Sequence, residues 1–402
     1  MKQAGILYYV NSFPRLSESF ILNEINELYN RGYNIAVFAQ NDPGENITHK
    51  EYQDIDVPIY YADASYTDFP KLFSKKSVQM ALSHTTDGVF NHFSPKRVSH
   101  NLLLGKQCFE FIKSLNFGID IVNAHFASST KIGAIFAARY HGIPCMVTAH
   151  AFEIFCSPNV PQIRHICDNV DHVIVPSEYN RDYLREEIEV KNEITVVPAT
   201  TQVEKFKPSA PTVENQLLTV ARLVEKKGYP YGIEAVNTLI EQGYDIEYHI
   251  VGTGDRKDRL QRQVTEYGIE DHVEFLGHVS DERLKKELSE ASVFILPCII
   301  AEDGDRDAMP VVLKEAMASE TACVSTTVSA IPELITNGYD GLLVPEKDPD
   351  RLASAIEELL NNPKKRKNIA ENGQETVHTK FDISESVDTL TEVFESLQSK
   401  RI

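Results

Sequence analysis

The stretch Leu217-Leu218-Thr219-Val220-Ala221-Arg222-Leu223-Val224-Glu225-Lys226-Lys227-Gly228 joins an apolar run to a basic turn. The apolar run predicts a strand that ends near Arg222, and Gly228 permits the turn into a following helix. Ligands of open α/β sheets bind at the carboxyl ends of the strands, so Arg222 and Lys227 are predicted at a binding edge. There an arginine offers a fork of donors to phosphate oxygens, and a lysine offers a point charge. Taken alone, the same spacing also fits a solvated basic turn.

The same strand–turn–helix pattern recurs on both sides of this stretch. Helical patterns such as 17–31, closed by Gly32, and 280–291 separate short apolar runs. Continuous apolar strands that alternate with helices are typical of parallel sheets covered on both faces. Strands are predicted at 6–10, 35–39, 119–123, 145–148, 172–175, 194–197, 217–220, 247–251, 273–276, 293–296, 323–325 and 342–344.

A segment rich in Pro, Thr and Ser, 198–215, interrupts the alternation. One sheet of about twelve strands would be large, whereas two domains joined at this break fit ordinary domain sizes. We therefore predict an α/β fold of two doubly wound Rossmann-like domains, 1–200 and 201–380, that face a central cleft. A helix is predicted within 381–402, and the sequence does not decide whether it packs on the second domain or returns to the first.

The stretch Asp307-Ala308-Met309-Pro310-Val311-Val312-Leu313-Lys314-Glu315-Ala316-Met317-Ala318 predicts a helix start that binds anions. Pro310 suits the first helical position, where its missing N–H costs nothing. The free N–H groups of Val311 and Val312 then point out of the helix, and that end attracts anions. Asp307 would lie just before the helix and Glu315 about a turn and a half inside it. A phosphate site between two carboxylates suits a nucleotide sugar, in which a diphosphate lies between two sugars that carry hydroxyls.

Other candidate residues follow predicted strands. Gly252 and Gly254 come after 247–251, where glycine lets the backbone approach a ligand closely. Their G-x-G spacing lacks the third glycine of a dinucleotide fingerprint, so it is a weak signal for a nicotinamide cofactor. His125 and His150 each come just past a strand in the first domain, where an imidazole can donate to a phosphate or hydroxyl. A lone histidine is more often structural, but two at neighbouring strand ends favour a functional role.

Composition excludes several classes of function. The formal charge of −19 argues against non-specific nucleic-acid binding, which needs a basic surface. The first residues run directly into a strand-like segment, so no secretory signal is expected, and no stretch reaches the roughly 18 apolar residues of a membrane span. The six cysteines contain no C-x-x-C pair and are expected to be buried free thiols in a reduced, cytoplasmic compartment.

The acidic run 302–307 contains two D-x-D spacings. Their carboxylate oxygens are the kind of ligand that a hard cation prefers. Such spacings are common in an acidic chain. Arg222, Lys227 and the helix start after Pro310 already supply positive charge for a diphosphate. We therefore expect no metal site and no cofactor.

Segment 68–114 inverts the overall charge, with seven Lys and Arg residues against three acids and with interleaved phenylalanines. A basic, aromatic, partly helical segment can lie on an anionic membrane surface. The other interpretation is an ordinary helical insertion with a solvated face. The first predicts peripheral association at the inner face of the membrane.

Several motifs carry a resemblance to a known family. Phe13-Pro14-Arg15-Leu16-Ser17-Glu18-Ser19-Phe20-Ile21 is similar to F-P-x-L-S-E-T-F-I, and Thr148-Ala149-His150 matches T-A-H. Ala221–Gly228 matches G-R-L-V-E-K-K-G, and Ile331-Pro332-Glu333-Leu334-Ile335 matches I-P-E-L-V. Through these motifs nearly the whole chain resembles family 4 retaining glycosyltransferases of the GT-B fold. The closest resemblance is to the branch that builds exopolysaccharide, colanic acid and capsule.

The resemblance implies transfer of a sugar from a UDP- or GDP-type donor to a hydroxyl of a glycan or lipid-linked acceptor, with an α-linkage. The paired acids of the family, E-x(7)-E, fall on Asp307 and Glu315. The family would give Glu315 the ribose hydroxyls and Asp307 the hydroxyls of the donor sugar, although Asp307 is one methylene shorter than the usual glutamate.

For the remaining residues the resemblance assigns a role to each. Arg222 and Lys227 would hold the diphosphate, and His150 would contact the donor sugar or its phosphate. Ser17 would belong to an acceptor or phosphate loop, to which we also assign His125 from its place at a strand end. Two other classes stay open: an epimerase or oxidoreductase that uses Gly252 and Gly254, and a non-catalytic nucleotide-sugar binder in a membrane-associated assembly.

Overall fold

The computed structural model describes residues 4–44, 50–63 and 88–400. The chain forms two compact units. Unit 1 comprises Met1–Pro198 together with Ser386–Ile402, and unit 2 comprises Ala199–Glu385. Among the described residues, no helix is both long and apolar enough to cross a membrane.

Unit 1 is built on a seven-stranded sheet with the order β3-β2-β1-β4-β5-β6-β7, and every neighbouring pair is parallel. The residues of the central strand β1 from Ile6 to Val10 are all fully buried, as expected for a strand covered on both faces. The strands are β1 (Gly5–Ser12), β2 (Asn34–Asn41), β3 (Ile59–Tyr61), β4 (Ile121–His125), β5 (Cys145–Thr148), β6 (His172–Val175) and β7 (Ile194–Val196).

The described helices of unit 1 cover this sheet. They are α1 (Ser19–Asn30), α2 (Val89–His92), α3 (Pro95–Ser114), α4 (Ile132–His141), α5 (Ala151–Phe155), α6 (Val160–Asp168) and α7 (Glu178–Glu186). Short 3-10 turns occur at Leu16–Glu18, Lys50–Asp54 and Ser129–Lys131. Helix α3 begins where the sequence allows it: the hydroxyl of Ser94 accepts from the backbone N–H of Arg97, and a proline occupies the first turn.

Unit 2 repeats the scheme with six parallel strands in the order β10-β9-β8-β11-β12-β13. The strands are β8 (Gln216–Val220), β9 (Glu247–Val251), β10 (Val273–Gly277), β11 (Val293–Leu296), β12 (Ala322–Thr326) and β13 (Leu342–Val344). The helices are α8 (Tyr229–Glu241), α9 (Lys257–Tyr267), α10 (Asp281–Glu290), α11 (Val311–Ala318), α12 (Ile331–Leu334), α13 (Pro349–Asn361) and α14 (Pro363–Lys380). Further 3-10 turns lie at Val203–Phe206, Glu225–Lys227 and Glu270–His272. A last helix, α15 (Ile383–Ser399), begins in unit 2 and lies mostly in unit 1.

The predicted α/β fold of two doubly wound sheets is confirmed, with differences in detail. Strand β3 was not predicted, because three residues give too short an alternation to recognise. The strand predicted at 119–123 runs from Ile121 to His125, so His125 ends the strand instead of following it. The helix predicted at 17–31 is a 3-10 turn that leads into α1 at Ser19.

The structure also tests the predictions made for the cysteines and for part of segment 68–114. All six cysteines are free, and all except Cys156 are buried, which confirms their prediction as buried thiols. Residues 68–87 lie outside the described residues. The described remainder, 88–114, contains α2 and α3. Helix α3 packs Val98, Leu104 and Phe111 into the core of unit 1, whereas Phe90 of α2 is half exposed. Membrane association stays a prediction.

Candidate active site

Asp307 is the centre of a buried charge cluster in unit 2. Its Oδ2 lies 2.6 Å from Nζ of Lys227, and its Oδ1 lies 3.5 Å from Nζ of Lys226. The thiol of Cys298 also donates to Oδ2 over 3.5 Å, and Lys226 pairs with Asp305 at 3.0 Å. The side chains of Lys226, Lys227 and Asp307 are 8%, 11% and 16% exposed. Water therefore screens these charges only weakly.

Gly228 explains how the two lysines reach this position. It joins the 3-10 turn Glu225–Lys227 to α8 with a φ of 67°, which favours glycine. A Cβ at this position would lie 1.7 Å from the carbonyl oxygen of Pro297, so only glycine lets the turn pack on the end of β11. The backbone N–H of Ile299 donates to the carbonyl of Lys226 over 2.9 Å. These contacts hold the lysines against the loop that leads to Asp307.

The lysines and aspartates of the cluster stabilise each other in their charged forms. Burial disfavours the charged form of Asp307, but the positive charges of Lys227 and Lys226 outweigh burial and hold its pKa below the ordinary value. Burial likewise disfavours the ammonium of Lys226, yet Asp307 and Asp305 raise its pKa overall. Two carboxylates and two ammonium groups therefore balance. A diphosphate that binds Lys227 must compete with Asp307 for the same ammonium.

Helix α11 follows this cluster directly. Pro310 is its N-cap, with a φ of −59° and a ψ of 123°, so it lies one position outside the helix and not at the first helical position as predicted. The start of α11 can bind an anion with Pro310 in either position, because the first backbone N–H groups of a helix lack intrahelical acceptors. Those groups belong to Val311 and Val312. Glu315 is the fifth residue of α11 and is partly exposed.

Arg222 lies two residues past the end of β8 and is exposed. No described residue accepts a hydrogen bond from its guanidinium or pairs with it. Its charge is nevertheless felt by Lys226, whose pKa it lowers against the stronger effect of the two acids. Arg222 is thus a cation near the cluster that is not already committed to a carboxylate within the described chain.

Gly252 and Gly254 have a structural reason to be glycine. A Cβ at Gly252, whose φ is 138°, would lie 2.0 Å from the carbonyl oxygen of Ala221, and one at Gly254 would lie 2.4 Å from that of Leu223. The N–H of Leu223 donates to the carbonyl of Thr253 over 2.9 Å. The close approach that these glycines permit is to the neighbouring turn of the protein, and it fixes the loop that carries Arg222.

His150 in unit 1 is the N-cap of α5 and forms a capping box with Glu153. The N–H groups of His150 and Ala127 both donate to Oε1 of Glu153 over 2.7 Å. The ring of His150 contacts those of Phe20 and Phe126, with centroids 4.8 Å and 4.6 Å away. Burial is the main reason that the pKa of His150 lies well below its ordinary value, and the neighbouring side chains of His125 and Lys131 lower it further. His150 is therefore neutral near pH 7 and does not supply a cation for phosphate.

Two further buried ionisable residues lie beside His150, and the sequence analysis missed both. Burial raises the pKa of Glu153 to about 7 in spite of three backbone hydrogen bonds. Burial lowers the pKa of the fully buried Lys131 to about 7, and its Nζ donates to Asn11 and to the hydroxyl of Thr130. Their signal in the sequence was weak, because Glu153 reads as an ordinary first-turn acid of a helix. Ser17 is exposed in the 3-10 turn before α1.

Within the described ranges, one group of side chains has a spacing that could hold a metal ion: Glu247, His249 and Glu274. It begins at the first residue of β9, whereas Gly252 follows the other end of that strand. Nδ1 of His249 lies 2.6 Å from the buried Glu287, and this hydrogen bond is the main reason that the pKa of His249 is raised. Asp305 and Asp307 are paired with Lys226.

Comparisons with known proteins place this geometry in a family. Residues 17–204 match the family model described as Glycosyltransferase Family 4, and residues 200–376 match the model described as Glycosyl transferases group 1. Together the two matches span residues 17–376, and they show that the chain is a glycosyltransferase. The second model covers the whole Lys227–Asp307 cluster together with α11 of this glycosyltransferase.

Relatives agree with this assignment. WcaL of Escherichia coli (strain K12), named as a glycosyltransferase of colanic acid biosynthesis, is 29% identical over 368 residues that cover 87% of this chain and 89% of WcaL. AmsK of Erwinia amylovora, named as an amylovoran biosynthesis glycosyltransferase, is 37% identical over 45% of each chain. The crystal structure of Anabaena HepE in complex with UDP-glucose has a TM-score of 0.73 at 16% identity, covers 97% of this chain and is itself 99% covered, which shows a shared fold. The fold of the glycosyltransferase is thus GT-B.

The structure brings Lys227 and Asp307, two of the residues that the sequence analysis selected, into contact just before α11. It adds Lys226, which the sequence analysis quoted but gave no role. The doubled lysine was the available signal, since either neighbour could have faced the acids.

Proposed function

We propose that the chain is a retaining glycosyltransferase that moves a sugar from a nucleoside-diphosphate donor to an acceptor hydroxyl, with an α-linkage. The observation that carries the proposal is the buried contact of 2.6 Å between Lys227 and Asp307, three residues before the N-cap of α11. It joins a phosphate-binding cation to a carboxylate that can accept from sugar hydroxyls. Donor binding on unit 2 and acceptor binding on unit 1 are part of the proposal.

In the proposed reaction, the bond between the anomeric carbon and the β-phosphate oxygen breaks, and a bond from that carbon to the acceptor oxygen forms on the same face. The acceptor's proton passes to the departing phosphate oxygen, so atoms and charge balance. Lys227, Arg222 and the N–H groups at the start of α11 stabilise the negative charge that develops on the diphosphate. Removing one such donor typically costs about 3 kcal/mol, or roughly a hundredfold in rate. No metal is needed in this scheme.

The carboxylates orient the donor. Glu315 would accept from the ribose hydroxyls and Asp307 from hydroxyls of the transferred sugar, whereas the neutral His150 would contact the sugar or its phosphate as a hydrogen-bonding group. Ser17 and His125 would contribute to the acceptor or phosphate loop. Gly252 and Gly254 would act indirectly, by fixing the turn that carries Arg222.

The names of the relatives support a role in exopolysaccharide synthesis, because WcaL and AmsK are named for colanic acid and amylovoran biosynthesis. HepE was crystallised with UDP-glucose, which supports a nucleoside-diphosphate sugar as the donor, of the UDP or GDP type. The acceptor would then be a growing glycan or a lipid-linked sugar. Peripheral attachment at the inner face of the membrane through 68–114 would bring the enzyme to such an acceptor.

Donor turnover tests the proposal. A panel of UDP- and GDP-sugars is screened by thermal shift, since a ligand at a hundred times its dissociation constant stabilises a protein by about 2.7 kcal/mol. Turnover of the best donor is then measured in Lys227→Ala and Glu315→Ala, with Glu302→Ala, an exposed acid of the neighbouring loop, as control. Near-native rates in both site variants would refute the assignment. Tight donor binding with no hydrolysis or transfer to any acceptor would favour the non-catalytic binder.

Three further measurements address the finer points. The anomeric configuration of the product, read by NMR, tests retention, and turnover in EDTA tests metal independence. Co-sedimentation with anionic liposomes at low salt tests membrane attachment, and the absence of binding there would remove it.

A further inference from the structure

Glu24, on the sheet-facing side of α1, receives three polar groups on a single oxygen. The hydroxyl of Tyr8 donates to Oε1 over 2.6 Å, and the side-chain amide of Asn123 donates over 3.1 Å. Nε2 of His125 lies 3.6 Å from the same oxygen. Tyr8 is fully buried, and burial, followed by the charge of Glu24, raises its pKa well above the ordinary value, so it remains a donor. Nothing in the proposed reaction explains why a carboxylate is held here.

The geometry decides which nitrogen of His125 carries its proton. The ring of His125 is 1% exposed, and no described residue forms a hydrogen bond with its Nε2. A lone pair on Nε2 would face the carboxylate of Glu24 and be repelled, whereas an N–H is attracted. The proton therefore belongs on Nε2, and Nδ1 of a neutral His125 is an acceptor.

The protonation of His125 determines that of His150. Nδ1 of His125 lies 3.1 Å from Nε2 of His150, so one of these nitrogens must donate. With Nδ1 of His125 as the acceptor, the donor is Nε2–H of His150, and Nδ1 of His150 is left unprotonated. The contact with His125 thus specifies the tautomer of His150.

We propose that Glu24 is a positioning residue of the candidate active site, which acts through His125 to set the tautomer of His150 and to hold its ring at the start of α5. Glu24 acts at a distance, since His125 lies between it and His150. The stacked rings support a rigid arrangement: Tyr8 and His125 lie 5.6 Å apart at 17°, and His125 and His150 lie 5.4 Å apart at 19°. The predicted effect on rate rests on the proposed function, but the tautomer does not.

Nitrogen NMR of the histidine side chains tests the tautomer in the wild-type protein, with signals assigned from His125→Gln and His150→Gln. At pH 7.5 we expect protons on Nε2 of both rings and none on either Nδ1. A protonated Nδ1 on His125 would overturn the proposal, whether or not any activity has been found. The same holds for His150.

Glu24→Gln tests the consequence, with Glu27→Gln as a matched control one turn along α1. Glu27 pairs with Arg31 at 2.7 Å and its side chain is 24% exposed, compared with 16% for Glu24. We expect Glu24→Gln to change the histidine signals and to lower kcat by about ten- to a hundredfold, the range for losing one charge-assisted interaction, with little change in the donor KM. Glu27→Gln should change neither.

Equal kcat values and unchanged histidine signals in the two variants would refute the positioning role. If Glu24→Gln does not fold, Tyr8→Phe provides the second test, because it keeps the carboxylate and removes one of its donors. It should shift the His125 signals and lower kcat less. No transferase activity in the wild type would instead refute the proposed function, and the NMR result would still stand.

Discussion

Replacing Asp307 with asparagine should have opposite effects on binding and on turnover. In the structure Asp307 holds the ammonium of Lys227 at 2.6 Å. A diphosphate must displace this carboxylate before Lys227 can bind it. Asp307→Asn removes the competing charge at nearly constant shape, so nucleoside diphosphates should bind more tightly. Turnover should fall, because the carboxylate that orients the sugar is lost.

The size of the effect follows from the distance. Two unit charges 2.6 Å apart interact by about 6 kcal/mol at an effective dielectric constant of 20 and by about 1.6 kcal/mol in water. Asp307 is mostly buried but Lys226 remains beside it, so we take about 1.5–3 kcal/mol, the usual range for a hydrogen bond to a charged group. The dissociation constant should therefore fall by about ten- to a hundredfold.

Isothermal titration with UDP and GDP measures this directly, since neither carries the sugar that Asp307 would contact. Asp305→Asn is the matched control: Asp305 pairs with Lys226 at 3.0 Å, and the contacts described for it do not include Lys227. It should alter the affinity by less than threefold, or about 0.6 kcal/mol. If Asp307→Asn binds no tighter than wild type, or if Asp305→Asn tightens binding equally, Lys227 is not the phosphate ligand that we propose.

Three further outcomes are expected. Glu315→Gln should raise the donor KM by about ten- to a hundredfold with a nearly constant kcat in steady-state kinetics, because it weakens ribose binding. Gly268→Ala should lower the free energy of unfolding, measured in urea, by about 1–2 kcal/mol, and Gly228→Ala should lower it by more. The two glycines have nearly the same φ, 67° at Gly228 and 68° at Gly268, but only at Gly228 would a Cβ meet Pro297. Equal losses in the two variants would contradict this account. Burial lowers the pKa of Lys314 to about 7. In the unfolded chain the Lys314 ammonium keeps its proton to about pH 10.4. The free energy of unfolding of the wild type, measured in urea relative to Lys314→Met, should therefore rise between about pH 7 and 10. A difference that stays constant over this range would contradict the prediction.

Local patterns predicted most of the fold. Continuous apolar runs with intervening helices were sufficient to predict two parallel sheets. Each strand of such a sheet is buried on both faces, so its own residues form a recognisable apolar run. Strand Ile59–Tyr61 carries no such signal, since it is short and none of its three residues is fully buried. The position of Pro310 differed by one residue, because a sequence pattern defines the end of a helix only to within one or two residues.

The site was less predictable because its contacts join distant parts of the chain. Lys226 meets Asp305 across 79 positions, and Asn123 meets Glu24 across 99. No local pattern specifies which of two adjacent lysines turns inward, or that an acid on α1 will face a histidine on β4. The motifs identified Lys227, Asp307 and His150 as candidates. Only the fold shows that two of them bind each other and that the third is neutral.

The division of the chain has a consequence for its synthesis. Unit 2 is a single continuous stretch, Ala199–Glu385, whereas unit 1 also needs Ser386–Ile402. On the ribosome the sheet of unit 1 emerges before unit 2, yet it lacks helix α15 until unit 2 has been translated. Leu390 and Phe394 of that helix are buried in the finished protein, so the apolar surface they contact is exposed to chaperones while unit 2 is being made. A stop codon near position 386 would therefore damage the half of the enzyme that was translated first.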